Sequence, residues 1–149
     1  MSDRIDELGR RGVASAHPEA GTRPSTAPSV STSLAHSLRI VEQCELFARA
    51  RRFESVRMAD LTRVGAASER RVRVAFHQVH GVPPTEHLRR LALDEVRERL
   101  ATADPDRTSV TREAASRGFW HHGRFAAAYR QRFGEYPSTT LRHARPASP

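Results

Sequence analysis

The chain has 149 residues, enough for one domain with a core plus a tail, and it carries twenty-five basic residues against seventeen acidic, a net charge of +8. A single cysteine, Cys44, excludes an internal disulfide and fits a reducing compartment. The apolar runs are too short to span a membrane and the N-terminus lacks a signal-peptide core, so a cytoplasmic protein with no membrane partner is expected.

Every basic residue is arginine. In residues 1–36 the arginines Arg4, Arg10, Arg11 and Arg23 are cancelled by Asp3, Asp6, Glu7 and Glu19, so the whole excess lies in residues 37–149. A basic domain of this kind favours a polyanion, because each neutralised phosphate releases counterions. The planar guanidinium also suits two-pronged contacts to guanine edges and phosphates, although an all-arginine set equally reflects a GC-rich genome.

In chain order, residues 1–36 read as a flexible leader, since positions 12–37 are rich in Ala, Ser, Thr, Pro and Gly. Ile40, Val41, Cys44 and Phe47 then follow the spacing of one buried helix face. Met58–Val64 reads as a short helix, with Gly65 expected to supply a left-handed turn. Ser68 caps the next helix, which runs to about His80 and buries Val72, Phe76 and Val79. Gly81 ends it, and Val82-Pro83-Pro84 turns the chain. A long helix from about Thr85 to Ala103 presents Leu88, Leu91, Ala92, Val96 and Leu100 on one side, stopping before Asp104-Pro105-Asp106. Val110–Arg117, Gly118 and a helix from about His121 to Arg132 follow, with Phe125, Tyr129 and Phe133 buried, before Gly134 and Pro137. No alternation typical of strands occurs, so the fold class is all-α.

The chain contains the same unit twice. Adding 53 carries Gly65 to Gly118, Val72 to Phe125, Phe76 to Tyr129 and Gly81 to Gly134. The same shift carries Pro84 to Pro137, Thr85 to Ser138, Leu88 to Leu141 and Arg89 to Arg142. Two helices joined by a short glycine-containing turn, the second one basic, form the helix-turn-helix pattern. The helix between the copies is roughly 27 Å long at 1.5 Å per residue. That suits two reading heads about one DNA turn apart, roughly 34 Å, on one face of a duplex.

Ser68 through Arg89 (SERRVRVAFHQVHGVPPTEHLR), Leu91-Ala92-Leu93, Ala115, Gly118-Phe119 and Phe125 through Leu141 resemble the DNA-binding domain of the AraC/XylS regulators. The segment GFWHHGRFAAAYRQRFGEYPSTTLR is similar to a variant of that family's end motif, and the resemblance covers roughly residues 35–143. It implies about seven helices in two homeodomain-like helix-turn-helix subdomains joined by a long linker helix. The first unit is expected at about 37–82, the linker at 83–103, the second unit at 108–143 and a tail at 144–149. Implied partners are double-stranded operator DNA and RNA polymerase. Family members also usually carry an effector-sensing domain, for which residues 1–36 are too short. Three positions depart from the pattern: Thr62 replaces a small Ala, Ala92 replaces an Arg, and Trp120-His121 stand where Ser or Asp usually caps.

Burying Val72, Phe76 and Val79 puts Arg70, Arg73, Val74 and His77 on the outer side of the first reading helix, where the resemblance also implies base contacts. Arg70 and Arg73 suit guanine O6 and N7, and Val74 a thymine methyl. The equivalent positions in the second helix are Gly123, Ala126, Ala127 and Arg130, which have little to read with, while His121, His122 and Arg124 flank its start. Ser68 both caps and, at a helix N-terminus, suits a phosphate. Trp120 is expected to pack against the second unit.

Eight histidines raise the question of an enzyme or metal protein, through His77 with His80 or His121 with His122. A zinc site wants further ligands, Cys44 lies on an apolar face, and no nucleophile motif or phosphate loop occurs. Neither catalysis, nor a metal, nor a cofactor is therefore expected. The competing reading is a nonspecific nucleic-acid-binding or protein-interaction module. RNA binding is disfavoured because no aromatic-lined sheet is present to stack bases.

Overall fold

The computed structural model describes residues 30–144. Among them it contains seven helices and no strand: α1 (Val30–Ala50), α2 (Met58–Val64), α3 (Glu69–His80), α4 (Pro84–Thr102), α5 (Val110–Ala115), α6 (His122–Phe133) and α7 (Pro137–Arg142). Helix α1 begins at Val30, inside the stretch read as leader; the rest of that leader and nearly all of the tail lie outside the described residues. The 53-residue shift maps both ends of α3 onto α6, and the start of α4 onto that of α7.

The start and stop signals act through specific bonds. Ser68 Oγ accepts the Arg71 N–H at 3.3 Å, and Gly81, at φ 71°, closes α3 with its N–H on the His77 carbonyl. Ser109 caps α5 in the same way through Arg112 N. Helix α6 has no side-chain cap at His121, as its sequence suggests, and Gly134 closes it at φ 76°. Prolines occupy the first positions of α4 and α7, where their missing N–H costs nothing.

Gly65 does not supply a left-handed turn. Its φ is −75°, and Ala66, at φ 46°, is the residue in that region. A side chain at Gly65 would meet the Leu61 carbonyl at 3.0 Å and Ile40 Cγ2 at 3.2 Å, so crowding by the last turn of α2 together with α1 explains the glycine. Its repeat mate Gly118 does adopt φ 80°, and a Cβ there would also press on the Phe53 carbonyl at 3.2 Å.

Two apolar cores result. The first gathers Ile40, Val41, Cys44 and Ala48 of α1, Leu61 of α2, Val72, Ala75 and Phe76 of α3, and Leu88 of α4. The second gathers Leu93, Val96 and Leu100 of α4 with Ala114, Phe125 and Tyr129. The buried face of α1 therefore runs through Ala48, with Phe47 only half-buried, and α4 buries Leu93 more fully than Leu91. Val79 and Phe133 sit at the core margins. Burial, then the adjacent Glu45 charge, pushes the Cys44 thiol up to about 11, which makes it an inert core residue.

Polar bonds pin the second unit. Tyr129 Oη and Thr140 Oγ1 lie 2.8 Å apart, and Thr140 donates to Glu135. Arg99 and Thr108 donate to the buried Glu113 at 2.5 and 2.8 Å. Burial alone would raise the Glu113 pKa; those bonds outweigh it and hold the carboxyl below its ordinary value of 4.5. A depressed carboxylate contributes stability above its unfolded pKa and loses it as pH falls through the folded one. Urea denaturation should therefore show Glu113→Gln losing part of the acid-side dependence of stability that the unchanged chain has below about pH 5. In the same assay Gly118→Ala should cost more than Gly81→Ala, for which about 1–2 kcal/mol is expected, because only Gly118 adds a steric contact to the left-handed strain.

Candidate nucleic-acid interface

Helices α3 and α6 each project one face outward because the other face is locked in a core. On α3, burial of Val72, Ala75 and Phe76 leaves Arg70, Arg73 and His77 exposed and Val74 half-exposed on one side, with the exposed Ser68 standing at the N-cap. Arg73 is held by Glu69, four residues back, at 2.6 Å; both side chains are 55% exposed. Such a pair is worth only about 0.3–0.5 kcal/mol, so a phosphate or guanine competes for the arginine readily. Arg70 forms no ion pair among the described residues. Arg71 instead turns back, its guanidinium 3.5 Å from the Ser33 carbonyl of α1.

On α6 the outer face carries almost no functional groups. Gly123, Ala126, Ala127, Arg130 and Gln131 line a shallow recess closed by Tyr136. Arg130 donates to Tyr136 Oη at 2.7 Å and stacks over that ring at 4.9 Å, which holds it against the protein. His121, His122 and Arg124 are exposed at the helix start.

Between the two units lies a cavity of about 380 Å³. Phe53, Val56 and Met58 line it from the first unit, Leu88 and Arg89 from α4, and Phe119, Trp120 and Arg124 from the second. Trp120 does not pack into the second unit: it is 61% exposed at this cleft. Sequence reasoning passed over Arg89 and the cleft, because no residue pattern within one unit announces a surface made by two. The one available signal was an indole standing where a capping residue is usual.

Acidic residues of α4 engage the other inward-facing arginines. Glu95 holds Arg49 at 3.2 Å and Arg117 at 2.9 Å, and Asp94 takes Arg132 through two bonds of 2.7 and 2.6 Å. Arg70, Arg89 and Arg124 are exposed and form no ion pair among the described residues, as is also true of Arg51, Arg52 and Arg107 elsewhere on the surface. Trp120 is the only tryptophan, so its fluorescence reports the cleft alone. Solvent-exposed, red-shifted emission with efficient acrylamide quenching is expected; blue-shifted, protected emission would contradict the open cleft.

A family model described as a helix-turn-helix domain matches residues 61–143. The XylDLEGF operon transcriptional activator 3 of Pseudomonas putida is 36% identical over 107 residues, covering 68% of this chain and 32% of that protein. The probable thc operon regulatory protein of Rhodococcus erythropolis is 38% identical over 85 residues, covering 57% of this chain and 26% of that protein. The chain thus matches about a quarter to a third of the length of these curated relatives. A solved structure of a probable AraC family transcriptional regulator from Rhodopseudomonas palustris superposes with a TM-score of 0.62 at 36% identity, over 72% of this chain and 98% of that one. An AraC-type DNA-binding domain protein from Chromobacterium violaceum, at 22% identity and a TM-score of 0.65 over 76% of this chain and 99% of that one, shares the fold. With two helix-turn-helix units in one all-helical domain and these relatives, the chain belongs to the AraC/XylS family of transcription regulators.

Proposed function

We propose that α3 and α6 enter adjacent major grooves of one duplex, with α3 reading bases and α6 mainly anchoring. The observation that carries this is the contrast between equivalent faces: Arg70, Arg73, Val74 and His77 on α3 against Gly123, Ala126, Ala127 and Arg130 on α6. Arg70 and Arg73 pair with guanine O6 and N7, and Val74 meets a thymine methyl. Ser68, at the α3 N-terminus, accepts the backbone role of a phosphate contact beside its cap. His121, His122 and Arg124 reach phosphate or base from the start of α6, and its small outer residues let that helix approach closely. The cleft with Trp120 and Arg89 faces the backbone between the grooves.

The domain boundaries that go with this reading are a first unit at about 37–82, a linker at 83–103 and a second unit at 108–143. The chain acts in the cytoplasm as a non-enzymatic regulator. RNA polymerase is its further partner at a promoter, and effector sensing belongs to a separate domain. The named activators among the relatives support a role in transcription activation.

Selection from a random DNA pool at about 150 mM salt should enrich two patches roughly one helical turn apart. Tight binding at low salt with no enriched motif would instead favour a nonspecific coat. Arg73→Ala should relax discrimination at one base pair by about 1–3 kcal/mol, whereas Arg130→Ala should weaken all sequences alike. A changed base preference in Arg130→Ala but not in Arg73→Ala would overturn the division of labour.

A further inference from the structure

Away from the reading faces, three Lewis bases from three helices converge. Glu45 of α1 points Oε1 at His87 Nε2 of α4, 2.7 Å away, and at His80 Nε2 of α3, 3.2 Å away. The candidate donor atoms of these residues all lie within 4.8 Å of one another. The other carboxylate oxygen, Oε2, is occupied by Arg49 at 3.4 Å, which orients the group and leaves Oε1 for the histidines. Phe76 lies beneath, its ring centroid 5.6 Å from that of His87 and 6.1 Å from that of His80. Glu45 and His87 are largely buried, while His80 is 29% exposed and opens the cluster to solvent.

We propose that Glu45, His80 and His87 form a zinc-class divalent metal site that ties the end of the first reading helix to α1 and α4. Zinc takes imidazole nitrogen and carboxylate oxygen at about 2.0–2.2 Å, which spaces tetrahedral ligand atoms about 3.3 Å apart. The His80 distance to Oε1, 3.2 Å, is close to that spacing, while the 2.7 Å from His87 is a hydrogen-bond length that has to open on loading. His80 stands in the last turn of α3, the negative end of the helix dipole, which favours a cation. The two imidazoles stack at 3.6 Å with planes 15° apart, and parallel rings cannot both hold one ion in their planes. Loading therefore swings the more exposed His80 ring out of the stack, and water completes the fourth position on the solvent side. The sequence pairs His80 with His77 by spacing, but His77 faces outward on α3; the ligand set forms only across helices.

Zinc titration of the metal-stripped full chain against a chromophoric chelator tests this. One equivalent should bind at micromolar or tighter affinity and raise the melting temperature. Glu45→Gln and His80→Asn should each weaken binding about tenfold or more, with unchanged circular dichroism, and His121→Ala/His122→Ala should not. No stoichiometric binding, or equal binding by His80→Asn, overturns the site. Should a variant fail to fold, the imidazole nitrogen resonances of the unchanged chain decide. Zinc must shift those of His80 and His87, and unmoved resonances refute the assignment.

Discussion

Leu88 packs into one core while Leu93, Val96 and Leu100 pack into the other, and all four stand on α4. A single rigid helix is thereby a member of both units, and the distance and rotation between α3 and α6 follow from it. Ala92, 2% exposed, sits at the changeover, where the cavity between the units also begins. A side chain as large as the arginine usual at this position in the family would have to occupy that space. The small residue and the open cleft are thus two aspects of one arrangement.

The ion pairs reinforce the same helix. Single exposed pairs contribute little, but Glu95 joins arginines from both units, and Asp94 grips Arg132 through Nε and Nη2 of its guanidinium. Their larger consequence is in sorting the arginines. Arg49, Arg117 and Arg132 are neutralised against α4 within the fold, while Arg70, Arg89 and Arg124 stay exposed without an ion pair among the described residues.

The two units also show how one backbone carries different chemistry. Gly65 and Gly118 are equivalent by the repeat, yet one is required by contact with the Leu61 carbonyl and Ile40 and the other by a left-handed φ. Phe76 and Tyr129 occupy equivalent core positions, but the tyrosine hydroxyl adds a bond to Thr140 that ties α7 down. On the outer faces the divergence is greater still, from arginines to alanines, because nothing in the core restrains those positions.

Sequence by itself determined the helices, their caps and the repeat, because these depend on near neighbours: Ser68 on Arg71 three residues on, Gly81 on the turn before it, Phe76 on a period of 3.6. It also determined which residues of α3 face outward, since a buried stripe dictates its opposite. Tertiary structure alone decided what depends on distant parts of the chain. The crowding of Gly65 by Ile40 comes from α1, the exposure of Trp120 from a cleft between units, and the tethering of Arg130 from Tyr136 beyond the end of its helix. The meeting of Glu45, His80 and His87 has the same origin, for three helices must pack before their side chains share a point. Local bonds are written in adjacent residues, while a surface or a cluster built by several elements exists only once those elements have docked.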